Sequence, residues 1–196
     1  MTHTRLEPEA RRRQLIELGL KMLSTEPSEQ VAIDRIAEAA GISRGLLFHY
    51  FPTKRDYHVA VVRAAADQML EVTAPDPALP EIERLRAGLM AYVDFVTTNP
   101  DLYVSLVRGA AGGDDELQQI FDETRSRIVE RVVEALAMPP GGGPAAVRTV
   151  LRGWVGFVEE STLDWLDHRD LERDALVTLQ ERVLLSAIDN AIDDAR

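Results

Sequence analysis

Apolar residues recur along most of this chain three and four positions apart, which is the spacing of one face of an α-helix. Near the N-terminus, for example, Leu15, Leu18, Gly19 and Met22 fall at i, i+3, i+4 and i+7. No window shows the sustained alternation of apolar and polar residues that is typical of a half-buried strand. The pattern therefore predicts an all-α protein with about nine helices.

Polar residues, glycine and proline divide the first part of the chain into short helices. The polar stretch 24–30 interrupts the first helix, and a second helix is predicted over 33–40, ending at a glycine. A third begins near Ser43 and ends before Pro52, because proline disfavours helical backbone in the residue that precedes it. Thr53, with Asp56 three residues later, is a capping-box-like start for a helix that runs to about residue 72.

The rest of the chain reads as longer helices between clear breaks. The breaks are the proline-rich loop 74–80, the restart at 99–101, the GGDD stretch at 112–115 and the PPGGGP stretch at 139–144. Two long helices are predicted last, over 145–167 and 171–193. We expect two domains, one of short helices over residues 1–58 and one of longer helices over residues 59–196.

Charge is distributed unevenly between these two parts. The net charge is −11, but residues 1–55 hold nine Lys or Arg and seven Asp or Glu, a net of +2, which leaves −13 for the remainder. Only the first segment is therefore suited to approach phosphates, because an acidic body repels nucleic acid.

Several classes of protein are not expected. There is no cysteine, no run of 18 apolar residues, and an N-terminus that is charged where a signal peptide is apolar, so we expect a cytoplasmic protein without a membrane span. The four histidines are scattered, and no serine has a His/Asp constellation around it. We expect no metal, no cofactor and no enzymatic activity.

The most informative segment is IDRIAEAAGISRGLLFHYFPTKRDY, residues 33–57. Two short helices joined by a glycine-centred turn form a helix-turn-helix. Ala37 is small where the helices cross, Gly41 suits a turn that needs a positive φ, and Ser43 can cap the second helix. Arg44 in that helix's first turn opposes the helix dipole, and we expect it to face a phosphate or a guanine edge; the alternative is a tolerated surface arginine.

This segment resembles the N-terminal domain of the TetR family of repressors over residues 12–57, with the aromatic pair Tyr50-Phe51 and Lys54 at family-like spacing. NPDLY at 99–103 and GWVGFVEESTLDWL in the final helices are similar to some members. The resemblance implies a helix-turn-helix DNA-binding domain over residues 1–58 and a helical ligand-binding and dimerisation domain over residues 59–196. It implies a homodimer, formed by the last two helices, that binds double-stranded operator DNA and responds to a small molecule. It leaves open whether that molecule releases or promotes DNA binding.

The resemblance also implies roles for single residues. The second helix of the motif would enter the major groove, with base-edge contacts from its N-terminal end and phosphate contacts around it. The implied DNA-contact residues are Ser43, Arg44, Gly45, Leu46, His49, Tyr50 and Lys54. Two positions depart from the family pattern: Ala32 stands where Thr or Ser is frequent, and Phe48 where Tyr is usual, which puts those two hydroxyl contacts in doubt.

Aromatic residues of the second part suit an apolar pocket between helices, and we expect a small, largely apolar effector there. The candidate ligand-binding residues are Tyr92, Phe95, Tyr103, Phe121, Trp154 and Phe157. Their alternative role is core packing. A second hypothesis for the whole chain is a helical-bundle carrier or adaptor without DNA function, against which the charge split and the YFPTK segment both argue.

Overall fold

The computed structural model describes residues 7–23 and 33–193, and within these ranges every regular element is helical. The bounds agree closely with those predicted, and the all-α expectation is confirmed. The polar stretch 24–30 and Ala32 lie outside the described residues. The described helices are α1 (Pro8–Leu23), α2 (Ile33–Ala39), α3 (Arg44–Tyr50), α4 (Lys54–Val72), α5 (Glu81–Thr98), α6 (Pro100–Ala111), α7 (Asp115–Ala135), α8 (Ala145–His168) and α9 (Arg173–Asp193), with a short 3₁₀ turn at Pro140–Gly142.

The chain divides into two compact units. The first comprises Met1–Asp67 and Asn99–Phe121, and the second comprises Gln68–Thr98 and Asp122–Arg196. Helices α4 and α7 each contribute residues to both units. The boundary between residues 58 and 59, drawn from the sequence, is a functional division and stays a prediction.

The first unit is held together by a close crossing of α1 and α4. Leu15 on α1 is fully buried, and the carbonyl oxygen of this residue accepts a hydrogen bond of 2.8 Å from the Tyr57 hydroxyl. A Cβ atom on Gly19 would lie 2.5 Å from that hydroxyl and 2.6 Å from a methyl of Val61. The two helices can therefore approach this closely only because residue 19 has no side chain.

The predicted aromatic pair Tyr50-Phe51 is split between the surface and the core. Phe51 is buried and meets the Tyr57 ring edge-on, with the ring centroids 5.1 Å apart. Tyr50 is half-buried and makes an edge contact with His49 instead. Phe51 thus fixes the end of α3 against α4 and leaves its neighbour at the surface.

In the second unit α8 and α9 pack side by side. The indole N–H of Trp154 donates to the backbone carbonyl of Gln180 at 2.7 Å, and the Gln180 amide donates to Ser161 and Thr162 at 3.0 Å. Gln180 is fully buried, so these bonds satisfy its amide N–H groups in the core. The link between the two helices is therefore both apolar and hydrogen-bonded.

This packing corrects one argument for a dimer that the sequence suggests. Eight of the apolar residues on the last two helices suggest, by sequence, a surface too large to leave bare on a monomer. Five of them are buried within the single chain, namely Trp154, Val155, Val158, Trp165 and Leu176. Leu179 remains 45% exposed, and Leu166 and Val183 are half-buried. The apolar surface left for a partner is smaller than expected, because α8 and α9 pack against each other and against α5.

Candidate DNA-binding surface and a cleft in the second unit

The turn between α2 and α3 has the geometry that the sequence predicts. Gly41 has a φ of +65°, a left-handed conformation that glycine adopts without strain. Ser43 lies just before α3, and its hydroxyl accepts a hydrogen bond of 3.2 Å from the Leu46 amide. Ala37 and Leu47, one from each helix, are buried. The cap and this packing hold α3 in a fixed orientation relative to α2.

Helix α3 presents most of its residues to solvent, and the predicted DNA-contact residues are among them. Leu46 is 40% exposed. A Cβ atom on Gly45 would meet only the Ser43 hydroxyl, at 3.9 Å, so the fold does not require a glycine there. Six of the seven predicted residues are exposed and the seventh, Tyr50, is half-buried; the six are Ser43, Arg44, Gly45, Leu46, His49 and Lys54.

Arg44 has two neighbours that sequence reasoning missed. Its Nη1 donates to both carboxylate oxygens of Asp34 on α2, at 3.2 and 3.3 Å, and its guanidinium lies 5.4 Å from the centroid of the Phe48 ring. Both members of the ion pair are more than half exposed, at 61% and 65%. The sequence offered only a weak signal for this pair, an acid and a base ten residues apart on successive helices.

The start of α4 carries two adjacent cations in different surroundings. The capping box is present, since the Thr53 amide donates to Asp56 at 2.9 Å and the Asp56 amide donates to the Thr53 hydroxyl at 3.0 Å. Lys54 is exposed beside this cap. Arg55 instead donates two hydrogen bonds to Asp114, at 2.7 and 3.0 Å, and that guanidinium lowers the pKa of the Asp114 carboxyl. Lys54 is therefore the cation of this pair that is left to meet a phosphate.

The aromatic residues predicted to bind an effector lie mainly in the interior of their units. Tyr92, Phe95, Tyr103 and Trp154 are buried, whereas Phe121 and Phe157 are half-buried. The indole N–H of Trp154, which could have oriented a ligand, bonds to Gln180 instead. These positions fit core packing, and their contact with an effector stays a prediction.

A cleft of about 710 Å³ lies between α7 and α8 in the second unit, and the 3₁₀ turn closes one end. Its volume is within the range of small-molecule sites. None of the six aromatic candidates lines it. The lining combines apolar side chains with charged ones of both signs. The apolar residues are Val129, Val133, Leu151 and Val155, the arginines are Arg125, Arg148 and Arg152, and the acids are Asp122 and Glu130. In the sequence, the two arginines four residues apart on one predicted helix are a weak signal for this cleft.

Arg125 of this cleft pairs with a glutamate on the neighbouring helix. Its Nε lies 3.2 Å from a carboxylate oxygen of Glu159, which is only 16% exposed. Burial raises the pKa of Glu159 to about 7, although the charge of Arg125 acts in the opposite direction. A Cβ atom on Gly156 would lie 2.8 Å from the Arg125 guanidinium, so the glycine leaves the space in which the arginine lies.

None of the helices in 7–23 and 33–193 combines the length and the hydropathy needed to cross a membrane. In the same ranges, no three histidine, aspartate or glutamate side chains are grouped closely enough to hold a metal ion.

Comparison with known proteins places both parts of the chain in one family. Residues 15–57 match "Bacterial regulatory proteins, tetR family", and residues 82–187 match "Tetracyclin repressor-like, C-terminal domain". The second match alone covers more than half of the chain. The protein belongs to the TetR family of DNA-binding transcriptional regulators.

Individual relatives agree with this assignment. A TetR-family transcriptional regulator from Streptomyces coelicolor is 30% identical, with a TM-score of 0.85 over 95% of this chain and 83% of that one. A transcriptional regulator from Rhodococcus shares the fold, with a TM-score of 0.75 at 17% identity over 91% of this chain and 96% of its own. The HTH-type transcriptional activator FasR of Mycolicibacterium smegmatis is 22% identical over 88% of this chain and 80% of its own length.

Proposed function

We propose that this protein is a ligand-responsive repressor that binds a pseudo-palindromic operator as a homodimer. The observation that carries the proposal is the surface of α3, which is capped by Ser43 and exposes Arg44, Gly45 and Leu46 consecutively. Residues 1–58 would bind DNA, and residues 59–196 would bind the effector and the second subunit. Because its target is the bacterial chromosome, we place the protein in the cytoplasm.

Each exposed residue has a role that its chemistry supports. Arg44 can donate two hydrogen bonds to a guanine edge, and Leu46 can contact a thymine methyl. Gly45 allows the backbone to come close to the bases. His49, Tyr50 and Lys54 would contact phosphates and fix the position of α3 along the groove. The free N–H groups at the start of α4 add to a phosphate site at Lys54.

Regulation would follow from a shift between two states of the dimer. An effector that binds better to the DNA-incompetent state lowers operator affinity in proportion to its preference for that state. We propose a small, largely apolar effector in the second domain, because the net charge of −13 after residue 55 disfavours a multiply anionic ligand. We propose that operator binding represses transcription, as in the tetracycline repressor that names the family. The Mycolicibacterium relative is named an activator. Expression of a reporter gene under the protein's own promoter, measured with and without the protein, distinguishes repression from activation.

The DNA-binding surface is tested by gel shift or fluorescence anisotropy on DNA from upstream of the protein's own gene. Lys54→Ala should weaken binding to all sequences and reduce the salt slope by about one unit, because one phosphate is no longer neutralised. Arg44→Ala should cost about 1–3 kcal/mol on the operator and much less on unrelated DNA. If both variants bind as the parent does, α3 is not the reading helix.

The dimer is tested by sedimentation at micromolar concentration. We propose an interface formed by α8 and α9 of each subunit, a four-helix arrangement that would cover the exposed Leu179. A two-fold dimer predicts half-sites whose centres lie about 34–36 Å apart, or a further helical turn away. A species of 21.8 kDa alone would contradict the proposed dimer.

A further inference from the structure

The cleft between α7 and α8 has a distribution of charge that the fold does not account for. Arg148 and Arg152 stand four residues apart on α8, so they lie on the same side of the helix. Like charges at this spacing repel each other, at a cost of about 0.2–0.5 kcal/mol. Both line the cleft, in a part of the chain where acidic residues outnumber basic ones by two to one.

Neither of these arginines is neutralised by an acidic side chain among the described residues. Arg148 donates a hydrogen bond of 2.6 Å to the backbone carbonyl of Gly143, which carries no formal charge. Arg152 is exposed and makes no hydrogen bond or ion pair with any described residue. By contrast, Arg125 at the other end of the cleft has Glu159 as its partner. The two arginines of α8 are therefore the cations of the lining that have no acidic partner among the described residues.

The position of the two arginines along α8 also favours an anion. Arg148 lies in the first turns of the helix, where no acidic residue and no side-chain cap complements the free N–H groups. Those N–H groups and the helix dipole favour negative charge at this end. The 3₁₀ turn contributes Pro140 and Gly141 to the lining of the cleft.

The remainder of the cleft is partly polar and partly apolar. Asp122, Ser126 and Glu130 of α7 belong to the lining, and Glu130 pairs with Arg127 at 3.6 Å. Leu151 and Val155 are buried at its base, and Val129 and Val133 form the opposite wall on α7. From Arg125 to Val133 the α7 wall is about 12 Å long, at 1.5 Å per helical residue. An apolar body of that length can lie along the wall while its end group reaches Arg148 and Arg152.

We infer that this cleft binds an amphiphilic molecule with a single oxyanion group, a carboxylate or a phosphate monoester, on an apolar body. The oxyanion bonds to Arg148 and Arg152, and the body lies against Val129, Val133 and Val155. Binding at this site does not depend on the DNA-binding function. The identification of this molecule with the effector does rest on the proposed function.

Direct binding measurements on the full-length protein test the inference, with octanoate and octyl phosphate as probes below their micellar concentrations. Octanol and octylammonium are the neutral and cationic controls of the same chain length. We expect saturable binding of at least one anionic probe, at least tenfold weaker binding of octanol, and no binding of octylammonium. The stronger of the two anionic probes identifies the headgroup. Equal binding of octanol and octanoate would overturn the inference.

Two charge reversals locate the site. Arg152→Glu should weaken binding of the anionic probe at least tenfold, and Arg152→Gln should weaken it less. Arg182→Glu is the matched control, because Arg182 is also exposed and lies outside the cleft on α9. Equal losses in the two reversals, or no loss in either, would contradict the assignment. A change in dimerisation on Arg152→Glu, without a change in probe binding, would show that a second subunit occupies the cleft instead.

The same preparations should be assayed for DNA binding without any probe. Probe binding without DNA binding would contradict the proposed function and leave the site standing. DNA binding without probe binding would contradict the site and leave the proposed function standing. A probe that binds at Arg152 and changes operator affinity would connect the two.

Discussion

Arg44 at the start of α3 is held by Asp34 of the preceding helix, with its Nη1 3.2 and 3.3 Å from the two carboxylate oxygens. The Nε and Nη2 groups make no hydrogen bond to a described residue, and two such N–H groups are what a bidentate contact with guanine requires. The carboxylate thus fixes one edge of the guanidinium and leaves the other edge available. Asp34 also places a negative charge where DNA phosphates would approach.

Asp34→Ala is expected to lower specificity more than affinity. Removal of the carboxylate frees the Arg44 side chain, which weakens operator binding, and removes a repulsive charge, which strengthens binding to unrelated DNA. The ratio of operator to non-specific affinity should therefore fall. Glu38→Ala is the control, since Glu38 is an exposed acid on the same helix. It should raise both affinities equally, and identical behaviour of the two variants would show that Asp34 has no positioning role.

Gly45→Ala should separate folding from DNA binding. The added methyl has open space in the free protein, so the higher helix propensity of alanine should raise the free energy of unfolding by up to about 1 kcal/mol. On the operator the same methyl would stand between the backbone and the bases, and we expect a roughly tenfold loss, about 1.4 kcal/mol. Thermal unfolding and anisotropy measure the two effects.

Gly88→Ala provides the comparison for Gly45→Ala. Gly88 lies on α5, where a Cβ would make only an ordinary contact of 3.7 Å with the Thr73 carbonyl. This change should raise stability without any loss of operator affinity. Unimpaired DNA binding by Gly45→Ala would place residue 45 away from the bases.

Gly19→Ala should destabilise the first unit. Its methyl would clash with the Tyr57 hydroxyl and with Val61, and overpacking of this kind costs about 1–3 kcal/mol. Tyr57→Phe alone should cost about 1 kcal/mol, because it removes the hydrogen bond to Leu15. In the Gly19→Ala/Tyr57→Phe double variant the hydroxyl is absent. Its loss in free energy of unfolding should therefore be smaller than the sum of the two single losses. Strict additivity in denaturant unfolding would show that the clash is relieved elsewhere.

Glu159 should make stability depend on pH. Burial raises the pKa of its carboxyl from an ordinary value of 4.5 to about 7, so its favourable contribution is complete below pH 4.5 and is lost as the pH rises through 7. Glu159→Gln removes this pH-dependent loss of stability, because the glutamine amide does not titrate. Relative to the parent, the variant should gain up to about 3 kcal/mol in free energy of unfolding between pH 4.5 and pH 8.

Glu160→Gln is the control for the pH measurement, because Glu160 is the adjacent residue and is exposed. Its stability should follow the parent at every pH in denaturant titrations. Parallel pH curves for all three proteins would mean that the Glu159 carboxyl titrates in the folded state as it does in the unfolded chain.

The sequence by itself determined the helices, their ends and the DNA-binding motif. These features depend on residues a few positions apart: the Ser43 cap, the Thr53 and Asp56 box, the positive φ of Gly41, and the restriction that Pro52 imposes before it. Hydrophobic spacing also marked which helix faces are buried. Interactions of this kind join residues that are close in sequence, so they can be predicted from the order of the residues alone.

Only the tertiary structure decided how side chains on different helices meet. The pairing of Asp34 with Arg44, the fit of Gly19 against Tyr57, and the burial of the Trp154 indole against α9 depend on which helices pack and at what rotation. The apolar residues of α8 and α9 looked like an unpaired interface, yet most are covered within one chain. The same spacing serves an internal or an external partner, because a helical pattern records that a face is buried and not what buries it.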